Sequence, residues 1–548
     1  MRLNALLALP VAGLLLLTSC KNNSGTTPAV PKDAAVVVHI SNSSLSSKLS
    51  WKEVQETDWF REMYKEAKDT LAQKLLSNPE AAGIDTKADL VFFLKKQGKG
   101  GYLVFEGSLT DAARFEAFNQ QLLAQKGTTA AVTKDGDFSH LKMDEGALVT
   151  WDKNRFSYTA DAPFMNAMAA AMSAGDGTQN TASFGVDSLK LFARQTLTLK
   201  EGLEEDDRYA RLVKEAGDVH VWMNSEHYYS GLTGGMLSMM KLNTLLEDNI
   251  SATTLNFDNG KIALTSKQYY GKEVSKLLDK HKMGSISADL LNRIPSDSIA
   301  GVLAMNCPPA ALKDLLVLTG MDGMANMMFS RMNYTLDELL QASNGEVLVS
   351  VSDVRMEKKT ETNPFTQTQQ VTTKPNMNFL FAASVNNQPS FEKLIGILKA
   401  EAGPSASEVN MEIKNKWFAA SNSAGHLAGF HTGNKRNAAF ASKISGHPFG
   451  VYVDLQRILR STQETPTGTA FGAMQASINF WQDIVLYGGE WKDGTMSYTM
   501  EVNLVDKNTN SLKQLNKYFS QLYLANKVQQ NDVVTESIED TTTALPAE

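Results

Sequence analysis

The chain has 548 residues, 43% hydrophobic and 21% charged, so its composition is that of a globular protein and its length allows roughly two to four buried cores. A net charge of −7 with no basic stripe excludes a nucleic-acid-binding surface. Two cysteines, Cys20 and Cys307, offer no disulfide framework, so apolar burial must carry the fold.

At the N-terminus, Arg2 precedes an apolar stretch, residues 5–17, broken by Pro10 and Gly13. It is shorter than the ~20 residues a spanning helix needs and has the flanks of a secretory signal. Its end, Leu17-Thr18-Ser19-Cys20, resembles the lipobox of bacterial lipoprotein signal peptides. The resemblance implies that residues 1–19 are removed and that Cys20 carries a diacylglycerol and an amide-linked acyl chain. Membrane lipid is then a partner, because two or more acyl chains anchor firmly where one does not. Removal of Arg2 takes the net charge from −7 to −8. Residues 20–30 are polar and read as a flexible tether. Lipoprotein sorting, again by resemblance, directs a chain with Lys21 rather than Asp after the cysteine to the outer membrane. With no acidic run at that point, the periplasmic face is expected, surface exposure being the alternative.

The body reads as two α+β halves, residues 31–285 and 294–525, each with mainly antiparallel strands covered by helices on one sheet face. In the first, Pro31-Lys32-Asp33 opens a strand over 36–40 that ends at Asn42, placed to cap a helix. An apolar strand at 102–105 then leads into an amphipathic helix ending near Gly127. A segment at 163–217 holds an Ala/Met helix at 164–174 and an acidic helix start at 204–207, where negative charge suits the helix dipole. The strand 219–223 ends at the cap Asn224, followed by the aromatic cluster His227-Tyr228-Tyr229 and then Met236, Met239 and Met240. Asn259-Gly260 marks a hairpin and 273–281 a closing helix.

The second half repeats this order. Pro295-Ser296-Asp297 opens a strand over 301–305 ending at Asn306; 451–453 ends at Asp454; Asp493-Gly494 marks the hairpin; and 511–522 is the closing helix. Residues 102–127 and 378–403 align without a gap at an offset of 276, with seven of 26 positions identical, among them Phe105/Phe381, Ser108/Ser384 and Phe115/Phe391. Chance predicts about one or two. The second half gains a polar Thr/Gln/Lys stretch, 354–376, read as a loop. The tail, 528–548, is polar and acidic and reads as disordered, with Asp540-Thr541-Thr542 as an O-glycosylation candidate.

Chemistry-bearing motifs are scarce. There is no zinc signature, P-loop or G-x-S-x-G elbow. His39 and His220 lie within strands, and His426 and His431 are expected on opposite faces of another strand. Ser390-Phe391-Glu392-Lys393 fits S-x-x-K without its companion motifs, and its counterpart in the first half begins with Arg114. Cys307 reads as a small buried residue at a strand end. Met321, Met324, Met328 and Met332 fall on one helical stripe with Met327 beside it. Such a stripe is commonly core, but methionine also builds adaptable binding surfaces. His227, Tyr228, Tyr229, Met321, Met324 and Met328 are therefore the candidate binding residues, for a peptide, a glycan or another envelope protein. No catalytic residue, metal site or cofactor is expected.

Lipobox, length, the Pro-x-Asp strand openings and the repeated body together resemble a family of uncharacterised lipoproteins common in Gram-negative gut anaerobes, which carries a domain-of-unknown-function label. The resemblance implies no activity. The expectation is a non-enzymatic binding or scaffolding lipoprotein of the cell envelope. The alternative is a hydrolase with a non-standard site between the halves, drawing on Asp454, Asp152 or His426.

Overall fold

The computed structural model describes residues 28–66, 73, 77–98, 100–125, 127–128, 130–162, 184–229, 241–362, 368–403, 409–433, 438–461 and 469–539. Cys20, the helix expected at 164–174, Met236, Met239, Met240 and Asp540 lie outside them. The fold is mixed α+β with antiparallel strands. The chain divides into two compact units. One holds the chain up to Asp258 with Ser266–Gly271 and Leu515–Ser520; the other holds Asn259–Thr265, Lys272–Gln514 and the residues from Gln521 on.

In the first unit the strands are β1 (Ala34–Ile40), β2 (Leu90–Gln97), β3 (Gly100–Ser108), β4 (Thr133–Asp135), β5 (Phe138–Asp144), β6 (Ala147–Trp151), β7 (Arg155–Asp161), β8 (Val219–Asn224) and β9 (Ile250–Asp258). Their order across the sheet is β4-β5-β6-β7-β3-β2-β1-β8-β9. The next strand, β10 (Lys261–Tyr269), is divided between the units. Helices cover both faces of β3, not one as expected. Phe115 and Leu123, on the helix Ala112–Gln125, pack with Phe105 and Phe156. Leu189 and Phe192, on the helix Val186–Leu197, pack with Tyr102 and Val104 on the other face.

The second unit contains β11 (Ile299–Asn306), β12 (Glu346–Thr362), β13 (Gln369–Ser384), β14 (Asn410–Lys414), β15 (Trp417–Ser421), β16 (Phe449–Val453), β17 (Trp481–Lys492) and β18 (Thr495–Leu504). Their order is β14-β15-β13-β12-β11-β16-β17-β18. Strand for strand, β14-β15-β13-β12-β11-β16-β17 follows the order β6-β7-β3-β2-β1-β8-β9 of the first unit, and β18 pairs with β17 as β10 pairs with β9. The local chemistry also matches. Asp111 accepts from the Arg114 amide and Asn387 from the Ser390 amide, both at 3.0 Å, to cap the helix after β3 and after β13. Phe115 meets Phe156 at 5.0 Å, and Phe391 meets Phe418 at 5.2 Å, between ring centroids.

Several sequence expectations change. Asn42 is not a cap: it is buried and donates to the Ala88 carbonyl at 2.8 Å, while Ser41 holds the cap position. Asn306 likewise donates to the Ser285 carbonyl, and Pro308 precedes the next helix. Asn224 and Asp454 do cap, accepting from the amides of His227 and Arg457. The described parts of the polar stretch, 354–362 and 368–376, are not a loop. β12 and β13 continue as a paired ladder from Arg355↔Asn376 to Thr362↔Gln369, because alternating Thr residues suit a pleated ribbon that satisfies its own backbone. His426 and His431 sit on the helix Ala424–Thr432 rather than a strand. The closing helix of the second half runs Ser511–Glu539, so residues 528–539 are helical.

One feature of the first sheet is invisible in one dimension. The register aligns Thr150, Ser157, Glu106, Val91, His39, His220 and Thr254 in a row across seven strands. All seven are buried, and all but Val91 are polar. His39 Nε2 meets Asp89 at 3.1 Å and His220 Nε2 meets the Glu215 carbonyl at 3.0 Å. Glu106 is 1% exposed, and neither carboxyl oxygen meets a donor among the described residues. Burial, opposed only by the charge of Arg155, pushes its pKa from 4.5 up to about 8. Glu106 is therefore a neutral acid at neutral pH. Across the five central strands the same row in the second sheet reads Ala419, Ala382, Leu348, Ala304, Gly450, and it continues to Glu412 on β14 and Tyr487 on β17, neither fully buried.

Candidate functional site

Two surfaces of the second unit bring together residues with binding chemistry. The first lies on the helices Pro309–Leu318 and Asp322–Arg331. Pro309 starts the former, where its missing N–H costs nothing. Gly320, with φ 69°, turns the chain between the two. Leu312, Leu315 and Val317 are exposed on the first helix; Met324, Met327 and Met328 are 47%, 59% and 58% exposed on the second. The methionine stripe is thus a surface and not a core. Met321 precedes the second helix and is half-buried. Charged side chains accompany the apolar ones on both helices. Lys313 pairs with Asp337 at 2.8 Å, and Asp314 receives His281 at 2.6 Å and Lys280 at 2.5 Å.

The aromatic cluster in the first unit is less open than its sequence implied. His227, Tyr228 and Tyr229 form the short helix Ser225–Tyr229, all three half-buried. The two tyrosine rings pack edge to face at 5.0 Å. The trio belongs to the first unit, and Met321, Met324 and Met328 belong to the second.

The second surface is a cleft of about 490 Å³ whose lining includes Asp353, Arg355, Asp454, Arg457 and Arg460. β12 supplies the first two at a bulge, where its register with β13 shifts between Ser352 and Arg355. Asp353 takes φ 55°, a left-handed conformation that a non-glycine residue adopts only at some cost. Its carboxylate is held by Ser296 Oγ and Ser352 Oγ, each at 2.9 Å, by Asn378 Nδ2 at 3.1 Å and by His426 Nε2 at 3.2 Å. Burial opposes ionisation there, but the hydrogen bonds from Ser352, Asn378 and Ser296 and the nearby His426 outweigh it and hold the group below the usual carboxylate value. On the facing segment Asp454 binds Arg457 Nε at 3.1 Å. Arg355 is oriented by Glu357 through Nε at 2.9 Å and Nη2 at 2.8 Å. Arg460 pairs with no carboxylate among the described residues.

Of the three residues weighed for a hydrolase, Asp454 lines this cleft and His426 touches it through Asp353. Asp152 lies in the first unit, where it closes the β6–β7 turn by accepting from the Asn154 and Arg155 amides. Among the described residues no group of three or more His, Cys, Asp or Glu is placed to hold a metal ion. Cys307 is half-buried just past β11, and burial pushes its thiol pKa up, away from a reactive thiolate.

A model of a domain of unknown function, DUF4836, matches residues 27–424. The chain belongs to that family. The matched region takes in the first unit through β9 and the second as far as the start of the helix carrying His426. No curated protein matches the chain. Among solved structures it is similar to TP0453 in crystal forms III and I, with TM-scores of 0.26 and 0.24 and 10% identity in each. The two alignments cover 48% of this chain and 90% and 89% of the other. No helix among the described residues is long and apolar enough to cross a membrane.

Sequence reading missed Asp353 and the three arginines. Arg355 and Arg457 stand 102 positions apart (457 − 355), and only the β12 bulge and the β11–β16 pairing bring them to one cleft. The one legible signal was Asp454 followed three residues later by Arg457, a cap joined to a cation.

Proposed function

We propose that this family member is a non-enzymatic binding or scaffolding protein of the cell envelope, held at the outer membrane on its periplasmic side by acylated Cys20. The observation that carries the binding role is the exposure of Met324, Met327 and Met328 on one helix and of Leu312, Leu315 and Val317 on the preceding helix, which touches it. Contiguous exposed apolar surface is costly in a lone soluble protein and marks contact surfaces. An apolar centre with charged neighbours, here Lys313, Asp314, Asp322 and Arg331, is the anatomy of a protein–protein interface. The partner is therefore another envelope protein, which the thioethers fit by adapting their shape. The matching strand orders, helix caps and Phe pairs support reading the two units as copies of one ancestral unit.

A photo-crosslinker at position 327 should give one discrete adduct in cells. Met324→Lys with Met328→Lys should abolish that adduct while changing stability by no more than ~0.5 kcal/mol. A smear no different from that of a probe at exposed Lys134 contradicts the proposal. The hydrolase reading is the second one, favoured by the His426–Asp353 pair at 3.2 Å beside the cleft. Turnover of peptide or glycan pools that is lost in His426→Gln would support it.

A further inference from the structure

The lining of the cleft in the second unit bears three guanidinium groups and two carboxylates. Both carboxylates are engaged within the protein. Asp353 already accepts from three side chains and lies 3.2 Å from His426 Nε2, and Asp454 accepts from the amide and Nε of Arg457. The arginines are engaged less fully. Arg355 uses Nε and Nη2 on Glu357 and Nη1 only at 3.5 Å on the Asp353 carbonyl, Arg457 uses Nε, and Arg460 meets no carboxylate among the described residues. An arginine steadied on one edge by a carboxylate keeps its remaining N–H groups for a second acceptor, and its planar fork matches an oxyanion. The strained backbone at Asp353 places Arg355 at this cleft, and strain of that kind clusters at functional positions. At about 490 Å³ the space exceeds an inorganic ion and suits an anion carried on a small body.

We propose that Arg355, Arg457 and Arg460 form a binding site for a phosphate group carried on a small molecule or on a lipid headgroup. The site needs neither the acyl anchor nor the partner surface. It is tested on the mature chain, residues 20–548 with Cys20→Ser, which carries neither leader nor acyl anchor and leaves the cleft intact. Three probes are titrated by calorimetry or vesicle sedimentation: inorganic phosphate, a hexose monophosphate, and phosphatidylglycerol vesicles against phosphatidylcholine vesicles. The hexose phosphate, the anionic vesicles or both should bind more tightly than inorganic phosphate. Arg460→Ala and Arg457→Ala should each weaken that binding about tenfold, with melting temperature unchanged. Binding should also weaken as salt rises. Preference for the soluble phosphate identifies a free ligand, and preference for the vesicles a headgroup. No binding by any probe overturns the site, as does binding that both variants leave unchanged.

Discussion

Glu106 in the first sheet and Ala382 in the second stand at the same place in the same strand order, 276 residues apart, and they show two ways to fill one core. Around Ala382 the row is Ala, Leu and Gly, which bury no side-chain polar group. Around Glu106 it is Ser, Thr and His, with a carboxyl that finds no donor among the described residues. A shared backbone plan therefore does not dictate core polarity. The first unit accepts a polar row beside an apolar one, in which Val104, Phe93, Val37 and Trp222 pair across β3, β2, β1 and β8. Burial of an unpartnered polar group costs stability, so the two units should respond differently to the same chemical change.

The largest difference should come from forcing the first solution onto the second unit. Ala382→Glu puts a carboxyl into a fully buried position ringed by Ala and Leu, and should cost at least ~3 kcal/mol in urea unfolding at pH 8. A loss under ~1 kcal/mol would mean that the second core can supply a partner.

The reverse change sharpens the comparison through pH. Between an ordinary carboxyl value of 4.5 and about 8, the folded Glu106 keeps its proton while the unfolded one has lost it. The folded state then binds more protons, so this group's contribution to stability is present below the lower value and falls as pH rises, by up to ~1.4 kcal/mol per unit. Glu106→Gln removes that slope. The variant should match the parent near pH 4 and exceed it increasingly up to pH 8 in denaturant midpoint. A difference that stays flat with pH would show that Glu106 is not a neutral acid in the fold.

The smallest expected effect tests where the units agree. Asp111→Ala and Asn387→Ala remove the same cap from equivalent helices, and each should cost about 1 kcal/mol. Thermal unfolding should show the two losses within ~0.5 kcal/mol of each other. A cost confined to one cap would mean that the matching geometry hides unequal helix stability.

What the sequence disclosed was local. The strand ends at Asn224 and Asp454, the hairpin at Asp493-Gly494 with φ of 51° and 75°, and the Phe115/Phe391 helix faces follow from capping, turn chemistry and periodicity. What it hid depends on neighbours far along the chain. Polar Thr, Gln and Lys read as a loop, although β12 and β13 pair them into a long ribbon. The row through Glu106 exists only once seven strands are in register. The exposure of Met327 depends on the tertiary packing around its helix, which helical periodicity does not report.

Membrane attachment through residue 20 is the claim on which the envelope role rests, and mass spectrometry of the N-terminal peptide from natively purified protein tests it most directly. The account predicts a peptide that begins at Cys20 and carries a diacylglycerol with an amide-linked acyl chain. A chain that still begins at Met1, or a Cys20 with a free thiol, would contradict it.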